Sequence, residues 1–294
     1  MSIQPLTDEA EPVEPQTRAQ WYPLGAPDAL GLAPLRTLLL GRDIVCARDG
    51  DDIRVLNGNR VLPAVVRYGT LWTTLAEPGD PEMVLPEVPE ADEADRRLVG
   101  CGAIAVASSG LRLVENFLDM AHFPFVHTGI LGAEPHTEVA RYEIELRETP
   151  GAAMSEVWAT HCRFFQPQAA LAASGGILTD YTYRVAAPFA TLLYKTSPGQ
   201  DSRQDVIALF IQPMTPTTAR AHPVMFLLDD TSTTEALVEF QQTIFLQDRI
   251  ILENQRPALL PLDASTEIPT LADRASVAYR RWLKANGVRY GALN

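Results

Sequence analysis

Two imidazoles, a carboxylate and a carboxamide fall within twelve residues of this chain, in Asn116-Phe-Leu-Asp119-Met-Ala-His122-Phe-Pro-Phe-Val-His127. The residues between them are mostly apolar, so the polar groups would be costly to bury without a partner. Two histidines and one distant carboxylate, with coordination positions left open, form the facial triad that holds Fe(II) for oxygen chemistry. The third ligand is then expected from a segment that turns an acid into an apolar interior, where a cation offsets the cost of its burial. Asp248 meets that condition.

The elements that must position these groups are legible in part. Between Thr234 and Gln255 the apolar residues Leu237, Phe240, Ile244, Ile251 and Leu252 recur at helical spacing. At about 100° per residue Asp248 falls near the centre of that stripe, and Arg249 and Glu253, four apart, fall on the solvent side where they can pair. The competing reading is a core Asp satisfied by a buried Arg or by backbone donors. His122 and His127, five apart, lie about 140° out of phase on a regular helix, so their convergence needs a distortion. Pro124 supplies a cause, because it lacks an amide proton and disturbs the preceding turn.

A helix is predicted from about Ser109 to Met120 to deliver this motif. β-rich segments follow at Glu138–Arg147, Ala153–Cys162, Ile177–Val185, Ala190–Thr196, Asp205–Gln212 and Ala219–Leu228, the last two joined through Pro213-Met-Thr-Pro-Thr. Thr270-Leu-Ala-Asp-Arg reads as a capped start to a last helix carrying Val277, Ala278, Trp282 and Leu283, with Gly287 as its stop. Upstream, Val61–Val66 and Thr70–Leu75 are strand candidates, and residues 81 to 97, rich in Pro, Glu and Asp, are expected to be an exposed linker. Residues 1 to 18 read as a disordered acidic tail, 19 to 81 as a small β region and 82 to 294 as the main domain. An antiparallel sheet with long helices makes the fold class α+β.

With 294 residues, 46% of them apolar, the chain can bury a substantial core. No apolar run approaches the length of a membrane span, and the N-terminus is not a signal peptide, so a cytoplasmic location is expected. Cys46, Cys101 and Cys162 show no pairing pattern, which suits a reducing compartment. A formal charge of −13 excludes nucleic acid as an expected partner.

Asn-x2-Asp-x2-His-x4-His, followed about 120 residues later by an inward Asp, resembles the catalytic domain of Rieske non-haem iron oxygenases. The branch it resembles contains aromatic O-demethylases and the methylxanthine N-demethylases of bacterial caffeine degradation. Two further stretches carry the resemblance: Tyr68-Gly-Thr-Leu-Trp-Thr-Thr-Leu-Ala-Glu-Pro, similar to the strand leaving the Rieske domain, and Gln247-Asp-Arg-Ile-Ile-Leu-Glu-Asn-Gln-Arg-Pro257, similar to the segment bearing the third ligand. The resemblance implies that His122, His127 and Asp248 are the iron ligands, that Asp119 relays electrons toward the metal, and that Asn116 is the polar residue beside it. It also implies a helix-grip, START-like arrangement, with a pocket drawn from sheet residues such as Phe164, Phe165, Leu178, Tyr181, Leu192, Tyr194, Phe210 and Phe226. Each of these is also an ordinary core residue, and His136, His161 and His222 are not assigned to the metal.

The departure from the family is as informative as the match. Its cluster is held by Cys-x-His and Cys-x2-His pairs, and neither occurs here; the one adjacent pair, His161-Cys162, lies beyond the iron motif. Residues 19 to 81 thus resemble a vestigial Rieske region without cluster ligands. The implied protein binds mononuclear Fe(II), has no 2Fe–2S cluster of its own, and uses O2 with NAD(P)H electrons. Those electrons would come through a Rieske-containing reductase or a homologous oxygenase subunit in a hetero-oligomer. The expected reaction is oxidative N-demethylation of a methylxanthine such as 7-methylxanthine. Two alternatives are an O-demethylase of an aromatic methyl ether and a catalytically silent scaffold subunit. A methylxanthine asks for an amide-bearing pocket, for which Gln166, Gln168, Gln241 and Gln242 are candidates, whereas an aromatic acid asks for a cation.

Overall fold

The computed structural model describes residues 13–31, 33–50, 52–149, 151–168, 171, 175–197, 203–263 and 265–293. A single helical turn, α1 (Pro15–Arg18), precedes seven short strands: β1 (Trp21–Gly25), β2 (Leu35–Leu39), β3 (Arg42–Asp49), β4 (Asp52–Asn57), β5 (Arg60–Leu62), β6 (Ala64–Arg67) and β7 (Thr70–Thr74). β8 (Arg97–Gly100) and β9 (Ile104–Val106) lead into α2 (Gly110–Leu118) and the one-turn α3 (Phe123–Val126). The long strands are β10 (Glu143–Arg147), β11 (Glu156–Gln166), β12 (Ile177–Ala187), β13 (Ala190–Thr196), β14 (Gln204–Thr215) and β15 (Thr218–Leu227). α4 (Thr234–Asn254), β16 (Leu260–Pro261), α5 (Arg274–Ala285) and β17 (Ala292–Leu293) complete the order.

The main sheet is antiparallel and eight-stranded, in the order β10-β11-β12-β13-β14-β15-β8, with β9 pairing farther along β15. β13 and β14 are apolar at successive positions because both faces of the sheet are covered. One face sends Leu193, Leu209 and Ile211 into the same core as Leu111, Val114, Tyr279 and Leu283 of α2 and α5. The other sends Leu192, Phe210 and Phe226 into a second core with Tyr68 and Trp72. α2 approaches the sheet closely at Gly110, where a Cβ would lie 2.9 Å from Ile211 and 3.1 Å from the Phe189 ring. A buried ion network ties α2 to α5: the fully buried Arg112 meets Glu115 at 2.9 Å and Glu267 at 2.6 Å, and Arg280 meets both acids.

The mixed helix and antiparallel-sheet class agrees with the sequence reading, as do α4, α5 with its Thr270 capping box, and every long strand to within a few residues. Three expectations are corrected. The acidic tail is shorter than 18 residues: Thr17 is buried, Gln16 donates to the Gly287 carbonyl and Arg18 pairs with Asp80, while residues 1–12 lie outside the described residues. Residues 81–97 are not a free linker, because Val88 is fully buried and its N–H donates to the Tyr68 hydroxyl, which itself donates to the Pro86 carbonyl. The helix expected to Met120 stops at Leu118.

The N-terminal strands form a three-stranded sheet β1-β7-β6 and a four-stranded sheet β2-β3-β4-β5. Both are welded to the main sheet: Tyr22, Leu39, Ile44 and Leu71 belong to the same core as α2, and the Leu40 and Gly41 amides donate to the carbonyls of Pro213 and Met214. No described helix is long and apolar enough to cross a membrane.

Candidate metal centre

The stop after Leu118 is what makes the site. Asp119 leaves helical geometry at φ −86°, ψ 132°, and its Oδ1 accepts from the Ala121 amide at 2.8 Å. The chain then makes the single turn α3 with Pro124 in its first positions, where the missing amide proton is tolerated. His122 stands just before this turn and His127 just after it. The expected distortion between the two imidazoles is therefore a broken helix. Gly132 packs under that turn, with its Cβ position only 2.6 Å from Pro124 N and 2.8 Å from Phe123 C.

Across from this turn, α4 aims Asp248 inward while Arg249 and Glu253 pair on the outside at 2.9 Å. Its buried stripe differs in detail from the expected one: Phe245 is buried, and Ile251 is half exposed. Asp248 Oδ1 lies 2.9 Å from His127 Nε2 and 3.3 Å from His122 Nε2, and the two Nε2 atoms are 3.1 Å apart. Among the described residues these are the group able to hold a metal.

The spacing and tautomers both fit a divalent ion. Three donors on one face of an octahedron, each about 2.1 Å from the metal, are separated by about 3.0 Å, close to all three distances seen here. The outer nitrogens are engaged: His122 Nδ1 donates to Asp119 Oδ2 at 2.9 Å and His127 Nδ1 to Gln247 Oε1 at 2.8 Å. With the Nδ1 protons so occupied, both Nε2 lone pairs point at the common centre, the arrangement that outer partners impose on ligating imidazoles. In the metal-free chain burial opposes protonation of His122, but Asp119 and Asp248 outweigh it and raise its pKa to about 9. Burial likewise opposes charge on Asp248, and the two imidazoles outweigh it and hold the carboxyl below the usual range. A cation at the centre would replace that shared proton.

Asn116 is the more loosely engaged of the expected residues, with Nδ2 3.5 Å from Asp248 Oδ1. Asp119 keeps a quarter of its side chain exposed, on a cleft shared with His122, Ile251, Gln255 and Ile268. A second cavity, sharing Asn116 and His122 with that cleft, runs from the triad to the sheet, lined by Phe117, Phe240 and Phe245 from the helices and by Tyr181, Tyr183, Leu193, Lys195 and Ile207 from the strands.

Of the sheet residues expected in a pocket, Tyr181 lines this cavity. Leu192, Phe210 and Phe226 face the second core, Tyr194 stacks on Trp158 outside it, and Phe164 packs edge-on against Phe123 at 5.6 Å. Phe165 lies against His136, and Leu178 is exposed. For Leu192 and Tyr194 the difference is one of parity: successive strand residues point to opposite faces, and in β13 the cavity takes Leu193 and Lys195. Gln166 and Gln241 do line the cavity, whereas Gln242 donates to the Cys101 carbonyl and Gln168 to Leu171. Nothing in the sequence marks Gln247 or Lys195; Gln247 stands beside Asp248, and only the fold shows which way it turns.

Residues 106–287 match the family described as the vanillate O-demethylase oxygenase C-terminal domain. The chain is 47% identical over 274 residues, 92% of its own length and 95% of the other's, to the probable methylxanthine N7-demethylase NdmC of Pseudomonas sp. (strain TJI-51). It is 23% identical over 226 residues to the methylxanthine N3-demethylase NdmB of Pseudomonas putida, where the match spans 58% of that protein. The solved structure of Pseudomonas putida CBB5 NdmB superimposes with a TM-score of 0.73 over 96% of both chains at 19% identity, which shows a shared fold.

Proposed function

The chain belongs to the Rieske-type oxygenase family that contains the vanillate O-demethylase oxygenases and the methylxanthine N-demethylases, and from that membership we propose that it demethylates a methylxanthine such as 7-methylxanthine at an Fe(II) held by His122, His127 and Asp248. The observation that carries this is the convergence of three ligand atoms at octahedral spacing, with both imidazole tautomers set by outer partners. When bound, the iron supplies the activation of O2 that lets an N-methyl carbon be hydroxylated. The resulting carbinol loses formaldehyde. The reaction balances with the N-methyl compound, O2, two electrons and two protons on one side, and the demethylated N–H compound, formaldehyde and water on the other.

The chain's own residues do the rest. The phenylalanines of the cavity exclude water and hold a flat heteroaromatic ring, while the triad closes one end of the same space. Asp119 fixes His122 and, being part exposed, is the group an incoming donor can reach. The electrons come from a partner's Rieske centre. In support, the cysteine of the N-terminal strands, Cys46, is fully buried and burial pushes its thiol up to about 11, the behaviour of a core residue rather than of a cluster ligand. These strands are then a Rieske-domain remnant beside a helix-grip catalytic domain. The exposed Val61, Val65 and Val66 on β5 and the edge strand β6 support a partner on that side in a hetero-oligomer. A second reading, O-demethylation of an aromatic acid, draws on one observation, the buried ammonium of Lys195 in the cavity.

Iron and sulfide analysis tests the proposal. The purified chain should hold about one iron, no acid-labile sulfide and no Rieske absorption, and His122→Ala or Asp248→Ala should remove iron and turnover together. Asp119→Asn should retain iron yet slow product formation by orders of magnitude with a Rieske-bearing donor. A 2Fe–2S signature in the isolated chain, or full activity with a donor lacking a Rieske centre, would overturn the electron route.

A further inference from the structure

The cavity beside the triad is apolar on its helical wall but not on its sheet wall. β12 and β13 pair Tyr181 with Lys195 and Tyr183 with Leu193, and β13 pairs Lys195 in turn with Asp205 of β14. Paired residues share a face, so Tyr181, Lys195 and Asp205 form one row across the sheet, with Tyr183 in the next. The Tyr181 and Tyr183 rings stack at 6.1 Å. The Tyr183 hydroxyl is buried and makes no hydrogen bond to a described protein atom, an arrangement that is costly unless a ligand supplies the partner. Lys195 is buried as well; burial lowers its pKa to about 8, while Asp205, its cross-strand neighbour, favours the ammonium. Gln166, which also lines the cavity, accepts from Thr179 through its Oε1.

The amine of Lys195, a phenol and a carboxamide on one wall suit a ring edge rich in acceptor oxygens. A carbonyl–NH–carbonyl imide is such an edge, its two oxygens accepting from the wall while its N–H can donate to the Tyr183 oxygen. Methylating that nitrogen removes the N–H and puts a methyl group against the charged row. Building on the methylxanthine reading above, we propose that Lys195, assisted by the Tyr183 hydroxyl, is the specificity-determining group of this cavity and selects xanthines with an unmethylated imide edge over fully N-methylated ones.

Calorimetric binding to the iron-loaded chain tests this with three probes: 7-methylxanthine, 1,3,7-trimethylxanthine and 4-hydroxy-3-methoxybenzoate. The wild type should bind 7-methylxanthine at least about tenfold more tightly than the trimethyl compound. Lys195→Met should lower affinity for 7-methylxanthine about 10- to 100-fold, the size of a lost charge-assisted hydrogen bond, and leave the trimethyl compound within about threefold, so that the preference collapses. Tyr183→Phe, which removes one oxygen and keeps the packing, should reduce the same preference by about three- to tenfold and keeps the proposal open to test if Lys195→Met does not fold. Unchanged preference in both folded variants overturns the role of the sheet wall while leaving the demethylase reading intact. Tight binding of the methoxybenzoate and of neither xanthine overturns both.

Discussion

Replacing Gln247 by leucine isolates the part of the metal site that no ligand list contains. His127 is 1% exposed in its side chain, so no water stands ready to accept its Nδ1 proton once the 2.8 Å bond to Gln247 Oε1 is gone. Either the N–H is left buried and unsatisfied, at about 1–3 kcal/mol, or the ring adopts the other tautomer and presents a protonated Nε2 that cannot ligate. Both outcomes fall on metal binding. Outer partners of ligating histidines typically contribute 10- to 100-fold in affinity, or about 1.4–2.8 kcal/mol. Anaerobic Fe(II) titration of the metal-free protein against a competing chelator should show a loss of that size. Gln247→Glu, whose carboxylate still accepts from Nδ1, should recover most of it. A correctly folded Gln247→Leu that binds iron with unmodified affinity would refute the claim that this bond sets the tautomer.

Two further outcomes follow from the geometry. Gly132→Ala should force the α3 turn apart, because the added Cβ meets the Pro124 and Phe123 backbone rather than a movable side chain; a loss of about 1–3 kcal/mol in stability and weakened iron retention are expected, read by melting and metal analysis, and a variant retaining both at wild-type levels would count against it. His222 is buried among Gln212 and Arg220, and burial, aided by Arg220, lowers its pKa to about 3. The unfolded chain takes up that proton below about pH 6.5 while the folded chain does not until about pH 3, so this stability is full above pH 6.5 and is lost as pH falls toward 3. The slope approaches about 1.4 kcal/mol per pH unit. Urea unfolding between pH 7 and 4 should show a shallower slope for His222→Gln than for wild type, and equal slopes would contradict the assignment.

The sequence by itself marked the candidate metal-binding residues and the large elements. Residue type and spacing singled out His122, His127 and Asp248, because few arrangements of two imidazoles and an inward acid in an apolar context are sustainable without a cation. Helical periodicity placed α4, and β-rich runs placed the middles of β10 to β15 but not their ends, β14 running through Pro213 to Thr215 where a connection is expected. Tertiary structure decided what depends on distant neighbours. Which face of β13 meets the cavity follows from pairing with β12 and β14, and since both faces of that strand are apolar and buried, alternation could not distinguish Leu192 from Leu193. That Gln247 turns to His127, that Lys195 meets Asp205, that Arg112 and Arg280 share Glu115 and Glu267, and that Val88 is drawn under the sheet all require contacts between residues remote in the chain. The sequence could nominate His122, His127 and Asp248 because the demand of such groups for a cation is local chemistry; only the folded chain could bring their donor atoms together, because a tautomer and a face are fixed by whatever packs on the other side.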